Sequence, residues 1–146
     1  RRLFSTDFSV ARHWLLSEHQ IKGSFALLSG TSFVELARAA FSVGRAPGPI
    51  EISNLTFFSP FQVAANDTRR LTIQLAPAGG ALAVTMRTAG ADPRSPAHVV
   101  GDVRAFTGEP PLRAQRCRSV GRGGQPRILA VALSWGCRWR RAGPAW

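Results

Sequence analysis

Lysine is nearly missing from this 146-residue chain: of its nineteen basic residues only Lys22 is not an arginine. Folding does not require that skew, since both side chains serve an exposed surface and differ mainly in bidentate and stacked contacts. We read it as the coding bias of a GC-rich genome. Acidic residues are also few. All eight lie within residues 1–109 beside eleven basic ones, a balance of +3, whereas residues 110–146 hold eight arginines and no acid. An isoelectric point near 11.8 would ordinarily suggest a phosphate-binding surface. Here the excess belongs to the tail, so no nucleic-acid partner is expected for the body of the chain. The two cysteines, Cys117 and Cys137, also lie in the tail with no histidine near them, which excludes a metal site of the usual ligand spacing. They read as two free thiols. No apolar run reaches the roughly 18 residues of a membrane span, and the first residues lack the basic and apolar segments of a leader. The expectation is a cytoplasmic protein with no membrane partner.

What remains is 45% hydrophobic with a mean hydropathy of −0.02, ordinary for one globular domain. Leu3 to Val10 reads as an edge strand with Phe4 and Phe8 on one face. Ser32 and Glu35 have the spacing of a capping box, and Phe33, Leu36, Ala37, Ala40 and Phe41 then recur at helical spacing until Gly44 and Pro47-Gly48-Pro49. From Ile50 the period becomes two, with a slip at Asn54 that predicts a bulge before Phe57. Phe61-Gln62-Val63 resumes the strand pattern. Leu71, Ile73 and Leu75 alternate with polar neighbours, Leu82, Val84 and Met86 repeat this after Pro77-Ala78-Gly79-Gly80, and the pair predicts a hairpin. A last strand is expected from His98 to Phe106. One helix followed by four or more antiparallel strands buries its apolar surfaces most economically by curling the sheet around the helix, although several layered α+β folds share this element order.

The segment between the first strand and the helix carries the chemistry. It reads His13-Trp14-Leu15-Leu16-Ser17-Glu18-His19-Gln20-Ile21-Lys22-Gly23, followed by Ser29-Gly30-Thr31-Ser32. His19 precedes Gly23 by four residues, and Gly30-Thr31 stands just before the expected capping box. Over residues 1–107 this resembles the N-terminal motif of the dehydratase domains of modular polyketide synthases, relatives of the animal fatty acid synthase dehydratase. Two departures stand out. Ser29 occupies the place where the family has proline, and the interval from Gly23 to that place is one residue longer than its commonest form. Proline would fix φ and stiffen the turn into the helix.

The resemblance implies a single hot-dog unit, an antiparallel sheet wrapped around one central helix, forming the N-terminal half of a double hot-dog. It implies removal of water from a 3-hydroxyacyl chain on an acyl carrier protein to give a trans-2-enoyl thioester. That reaction needs a base for the α-proton, an acid for the departing hydroxyl and a dipole at the thioester oxygen. The family assigns the first role to the residue matched by His19. The backbone N–H of Gly23 would serve the third, and Phe33, on the helix, would line the acyl tunnel. The acid is an aspartate followed at the fourth position by glutamine or histidine, on a second hot-dog unit. None of Asp7, Asp67, Asp92 or Asp102 fits that pattern. The chain therefore reads as a truncated dehydratase domain, inactive by itself, with the carrier protein and other polyketide synthase domains as partners and homodimerisation open. No cofactor is expected, the substrate being carried on a phosphopantetheine arm.

His13 and His98 read as structural or exposed, and Phe57, Phe58 and Phe61 as core. Residues 108–146, rich in arginine, glycine and proline, are expected to be a disordered tail outside the family pattern, either an altered reading frame or a basic linker. The alternative function is a non-catalytic hot-dog module that binds acyl chains or dimerises through a sheet edge.

Overall fold

A computed structural model describes residues 1–21, 24–92 and 94–108, and the backbone of Arg140 and Arg141. Most of the expected tail, 108–146, thus lies outside the described residues. The order of elements is β1 (Arg2–Ser9), α1 (Trp14–Ser17), β2 (Gln20–Ile21), β3 (Phe25–Leu27), α2 (Gly30–Ser42), β4 (Ile50–Phe57), β5 (Gln62–Ala64), β6 (Thr68–Ala78), β7 (Ala81–Thr88), β8 (Val99–Ala105) and β9 (Arg140–Arg141). Six strands form an antiparallel sheet in the order β4-β8-β7-β6-β1-β9, and β2-β3-β5 form a smaller one. This is the hot-dog arrangement.

Alternation builds the large sheet. Leu71, Ile73 and Leu75 of β6, Val84 and Met86 of β7, and Val99 and Val103 of β8 all lose essentially all solvent contact on one face. Against them packs α2, whose stripe of Phe33, Leu36, Ala37, Ala40 and Phe41 is buried as its spacing predicts. Ala37 and Ala40, both fully buried, let the helix axis approach the sheet closely. On the outer face, Asp7 pairs with Arg70 and Glu51 with Arg104 directly across neighbouring strands. Those exposed pairs help register more than stability.

The hairpin turns at Gly79 and Gly80, whose φ of 50° and 86° match the right-handed twist of the flanking strands. The slip at Asn54 is a register shift between Ser53 and Thr56. Asn54 has a φ of 54°, and its side-chain amide donates to Asp102 Oδ2 at 2.8 Å. The bulge leans on Gly101 of β8, where an added Cβ would come within 2.8 Å of Leu55 Cδ1 and 3.2 Å of the Leu55 Cα. A bare backbone at 101 is what lets β4 bend there.

Two expectations need correction. Ser32 is not the N-cap. The helix begins at Gly30, so Ser29 takes the cap position and Ser32 lies inside the first turn, buried, with its hydroxyl 2.7 Å from Ser29 Oγ. Glu35 turns outward to Arg38 instead of reaching back to the helix start. The capping box is therefore absent, and no side chain caps the α2 amides. Second, Phe57 and Phe58 stand 52% and 59% exposed, whereas Phe61 is wholly buried, so only one of the three aromatics belongs to the core. The reason is position: among the described residues β4 is an edge of the sheet, and Phe57 reaches only the start of α2 at its end.

Candidate functional site

His19 sits where α1 gives way to β2. The helix is one turn long, so its last carbonyls need partners from outside it. Buried Leu15 and Leu16 tie it to the core. The His19 ring supplies one of those partners: its Nδ1 lies 2.7 Å from the Leu15 carbonyl, which can only accept, so Nδ1 carries the proton. The main chain is held twice more, by His19 N–H to the Leu16 carbonyl at 3.2 Å and by Leu27 N–H to the His19 carbonyl at 3.1 Å. These contacts leave Nε2 as the ring's other nitrogen, on an exposed residue. A fixed tautomer whose other nitrogen meets no partner among the described residues is what proton abstraction requires.

Gly23, expected to offer a backbone N–H, lies outside the described residues. Phe33 is 3% exposed on α2, and its ring meets that of Phe57 edge-on with centroids 6.0 Å apart. Phe57 also touches the start of the helix, its Cζ lying 3.5 Å from where a Gly30 Cβ would be. Phe33 is thus the buried end of a small aromatic pair whose other end faces solvent. The structure does not place Phe33 in contact with His19.

Ser29, which stands in place of the family's proline, has φ −68° and ψ 155°. That is the backbone a proline would impose. The departure changes the residue and leaves a backbone that proline could also adopt.

The other histidines differ from His19. His13 packs its ring against Phe8 at 5.1 Å with Nδ1 beside the Ser9 carbonyl, a contact that closes the loop leaving β1. His98, 9% exposed, has partners at both nitrogens: Nδ1 with Ser59 and Nε2 with Thr88 Oγ1 at 2.9 Å. Burial depresses its pKa, and the charges of Arg69 and Arg87 push the same way, so it is held neutral. Sequence reading missed the polar group around it. The usable signal was the hairpin register, which sets Leu71 opposite Thr88 and so brings Arg69 to the same strand end. Among the described residues no cluster of three histidine, cysteine or acidic side chains could hold a metal ion, and no helix is long and apolar enough to cross a membrane.

Comparison with known proteins places these features in context. Residues 1–89 match the family described as the polyketide synthase dehydratase domain. The dehydratase domain from the CurJ module of the curacin polyketide synthase is similar in fold, with a TM-score of 0.64 at 20% identity, over 75% of this chain and 39% of its own. A fusion DH domain shares 30% identity with a TM-score of 0.57, over 73% and 39%. A structure from work on dehydratase substrate selection in the borrelidin and fluvirucin synthases shares 28% identity with a TM-score of 0.56, over 75% and 38%. The chain thus spans well under half the length of these structures. No curated protein matches it.

Proposed function

This chain belongs to the polyketide synthase dehydratase family, and from that premise we propose that it contributes the base-bearing hot-dog half of a dehydration site. In this reading His19 Nε2 removes the α-proton of a 3-hydroxyacyl thioester presented by an acyl carrier protein. The Gly23 N–H holds the thioester oxygen, and an aspartate from a second hot-dog unit protonates the leaving hydroxyl. Loss of water leaves a trans-2-enoyl chain. Phe33 borders the acyl path through its contact with Phe57.

The observation that supports this best is the bond from His19 Nδ1–H to the Leu15 carbonyl, because it orients the ring and leaves the other nitrogen basic. The remaining roles rest on the family. None of Asp7, Asp67, Asp92 and Asp102 has the family's glutamine or histidine four residues on, so the chain alone is proposed to be inactive. Its partners would be the carrier protein and the neighbouring synthase domains. The exposed Phe57 and Phe58 at the end of edge strand β4 support the second reading, a hot-dog module that binds acyl chains or pairs through that edge without catalysis.

The test incubates the full chain with a 3-hydroxyacyl carrier-protein thioester, alone and with an aspartate-bearing second half, and follows the loss of water by mass spectrometry. Turnover should need both halves and fall by about 10²- to 10⁴-fold in His19→Ala. Unaided turnover would overturn the division of labour. Acyl binding without turnover in the paired halves would favour the non-catalytic module.

A further inference from the structure

A second polar site lies at the end of the large sheet where β6 starts, β7 ends and β8 starts. There a cavity of about 470 Å³ is lined by, among others, Ser59, Gln62, Arg69, Thr88, Ser95 and His98. Arg69 donates to the Gln62 carbonyl at 2.7 Å and to Thr88 Oγ1 at 3.1 Å while its guanidinium lies over the Phe61 ring. Arg87 donates to the Ser95 carbonyl. The ion pairs among the described residues go to Arg38, Arg70 and Arg104, so both of these guanidinium groups are met by neutral oxygens only.

The charged groups acting on His98 are therefore of one sign: Arg69 from β6 and Arg87 from β7. The segment Ser59–Gln62 packed on its other side carries no charge. In the turn between β7 and β8, Asp92 accepts the Arg94 backbone N–H at 2.7 Å. The result is a recess lined by one cation, Arg69, a buried imidazole and three hydroxyls, with Arg87 adding positive charge from outside the lining and, among the described residues, no acidic side chain in it. Positive charge gathered against low-dielectric walls attracts an oxyanion more strongly than the same charge on an open surface.

We propose that this cavity is an oxyanion site that takes a phosphate group, either free or as an ester. Arg69 offers its planar fork, and the Ser59 and Thr88 hydroxyls can turn to donate. The hydrogen bonds also couple the site to a proton. With Nδ1–H donating to the Ser59 carbonyl, Nε2 accepts from Thr88 Oγ1; protonation of Nε2 reverses that bond and frees the Thr88 hydroxyl to face the anion. This site does not depend on the dehydration reading, because none of its side chains serves that chemistry.

The test follows the His98 ring by NMR in the full chain during titration with sodium phosphate, and separately with methyl phosphate, against sodium chloride at matched ionic strength. Saturable shifts confined to His98, with its titration midpoint raised in the bound state, are expected. Affinity should fall about ten-fold or more in Arg69→Gln and less in Arg69→Lys. Equal binding of both probes assigns the site to the phosphate group itself; tighter binding of methyl phosphate assigns it to an ester. Should Arg69→Gln fail to fold, Arg87→Gln is expected to weaken binding in the same direction. Shifts that chloride reproduces, or undiminished affinity in the folded variants, would overturn the proposal.

Discussion

The sheet with α2 and the segment carrying His19 obey different rules although they share one domain. The first is held by burial: Ile73, Leu71 and Met86 on the strands and Ala37 and Ala40 on the helix have no solvent contact. In the second, a one-turn helix and strands of two and three residues place one ring through three hydrogen bonds, and only Leu15, Leu16, Ala26 and Leu28 reach the core. Burial thus dominates one region, and hydrogen bonds around a single ring dominate the other. The histidine is held to the scaffold through a few anchors, Leu15, Leu16, Ala26 and Leu28.

The sharpest way to break this contrast is to truncate one isoleucine in each region. Ile73→Ala removes a fully buried side chain and should cost about 2–5 kcal/mol in urea unfolding, through lost burial and the cavity left behind. Ile21→Ala, at a residue 43% exposed in β2, should cost under about 1 kcal/mol. Comparable losses would show that the two regions are not energetically distinct.

Next in size is Gly101→Ala. The new methyl would meet the Leu55 Cδ1 at 2.8 Å, a side chain that can move, but also the Leu55 Cα and the Ser53 carbonyl at 3.2 Å, which move only with the bulge. A destabilisation of about 1–3 kcal/mol is expected. If the backbone is what resists, Leu55→Ala will not rescue it. Full rescue would assign the clash to the side chain.

His98 gives a pH-dependent contrast. Its folded pKa lies below the model-compound value of 6.5 because burial and two arginines disfavour the charged ring. Its contribution to stability is therefore complete above 6.5 and is lost as pH falls through the lower folded value. The unfolding midpoint should drop with acidification over that window, and His98→Gln should flatten the slope. A midpoint that rises on acidification would contradict the assignment of a neutral buried ring.

How much of this was legible beforehand follows from element length. α2 and the β6–β7 hairpin span enough residues for their periods to show, and even the bulge announced itself as a slip at Asn54. The two- and three-residue strands β2 and β3 are too short to carry a period, and one-turn α1 left no pattern apart from the motif. The helix start was misplaced by three residues because Ser32 and Glu35 offer the right chemistry at the wrong turn; Gly30 begins the helix first. His19 was singled out by its spacing to Gly23, but that its Nδ1 meets the Leu15 carbonyl is a fact of geometry. The His98 cavity was invisible because it is assembled from the ends of separate segments.

The smallest effect expected is at Ser29, and it tests whether the turn into α2 is set by the residue or by its surroundings. Its φ of −68° and ψ of 155° already suit proline, and the backbone hydrogen bonds around it run from Leu28 N–H to the Phe61 carbonyl and from Ser32 N–H to the Ser29 carbonyl, neither of which uses the Ser29 N–H. Ser29→Pro should then gain about 0.4–1 kcal/mol by restricting the unfolded chain. Loss of the hydroxyl contact to Ser32 Oγ at 2.7 Å offsets part of that. The net change in unfolding midpoint should be small and stabilising, with slower amide exchange at Leu27, whose N–H holds the His19 carbonyl. A clear loss of stability would mean that the hydroxyl pair, and not the backbone angle, sets the turn that leads from the histidine segment into the helix.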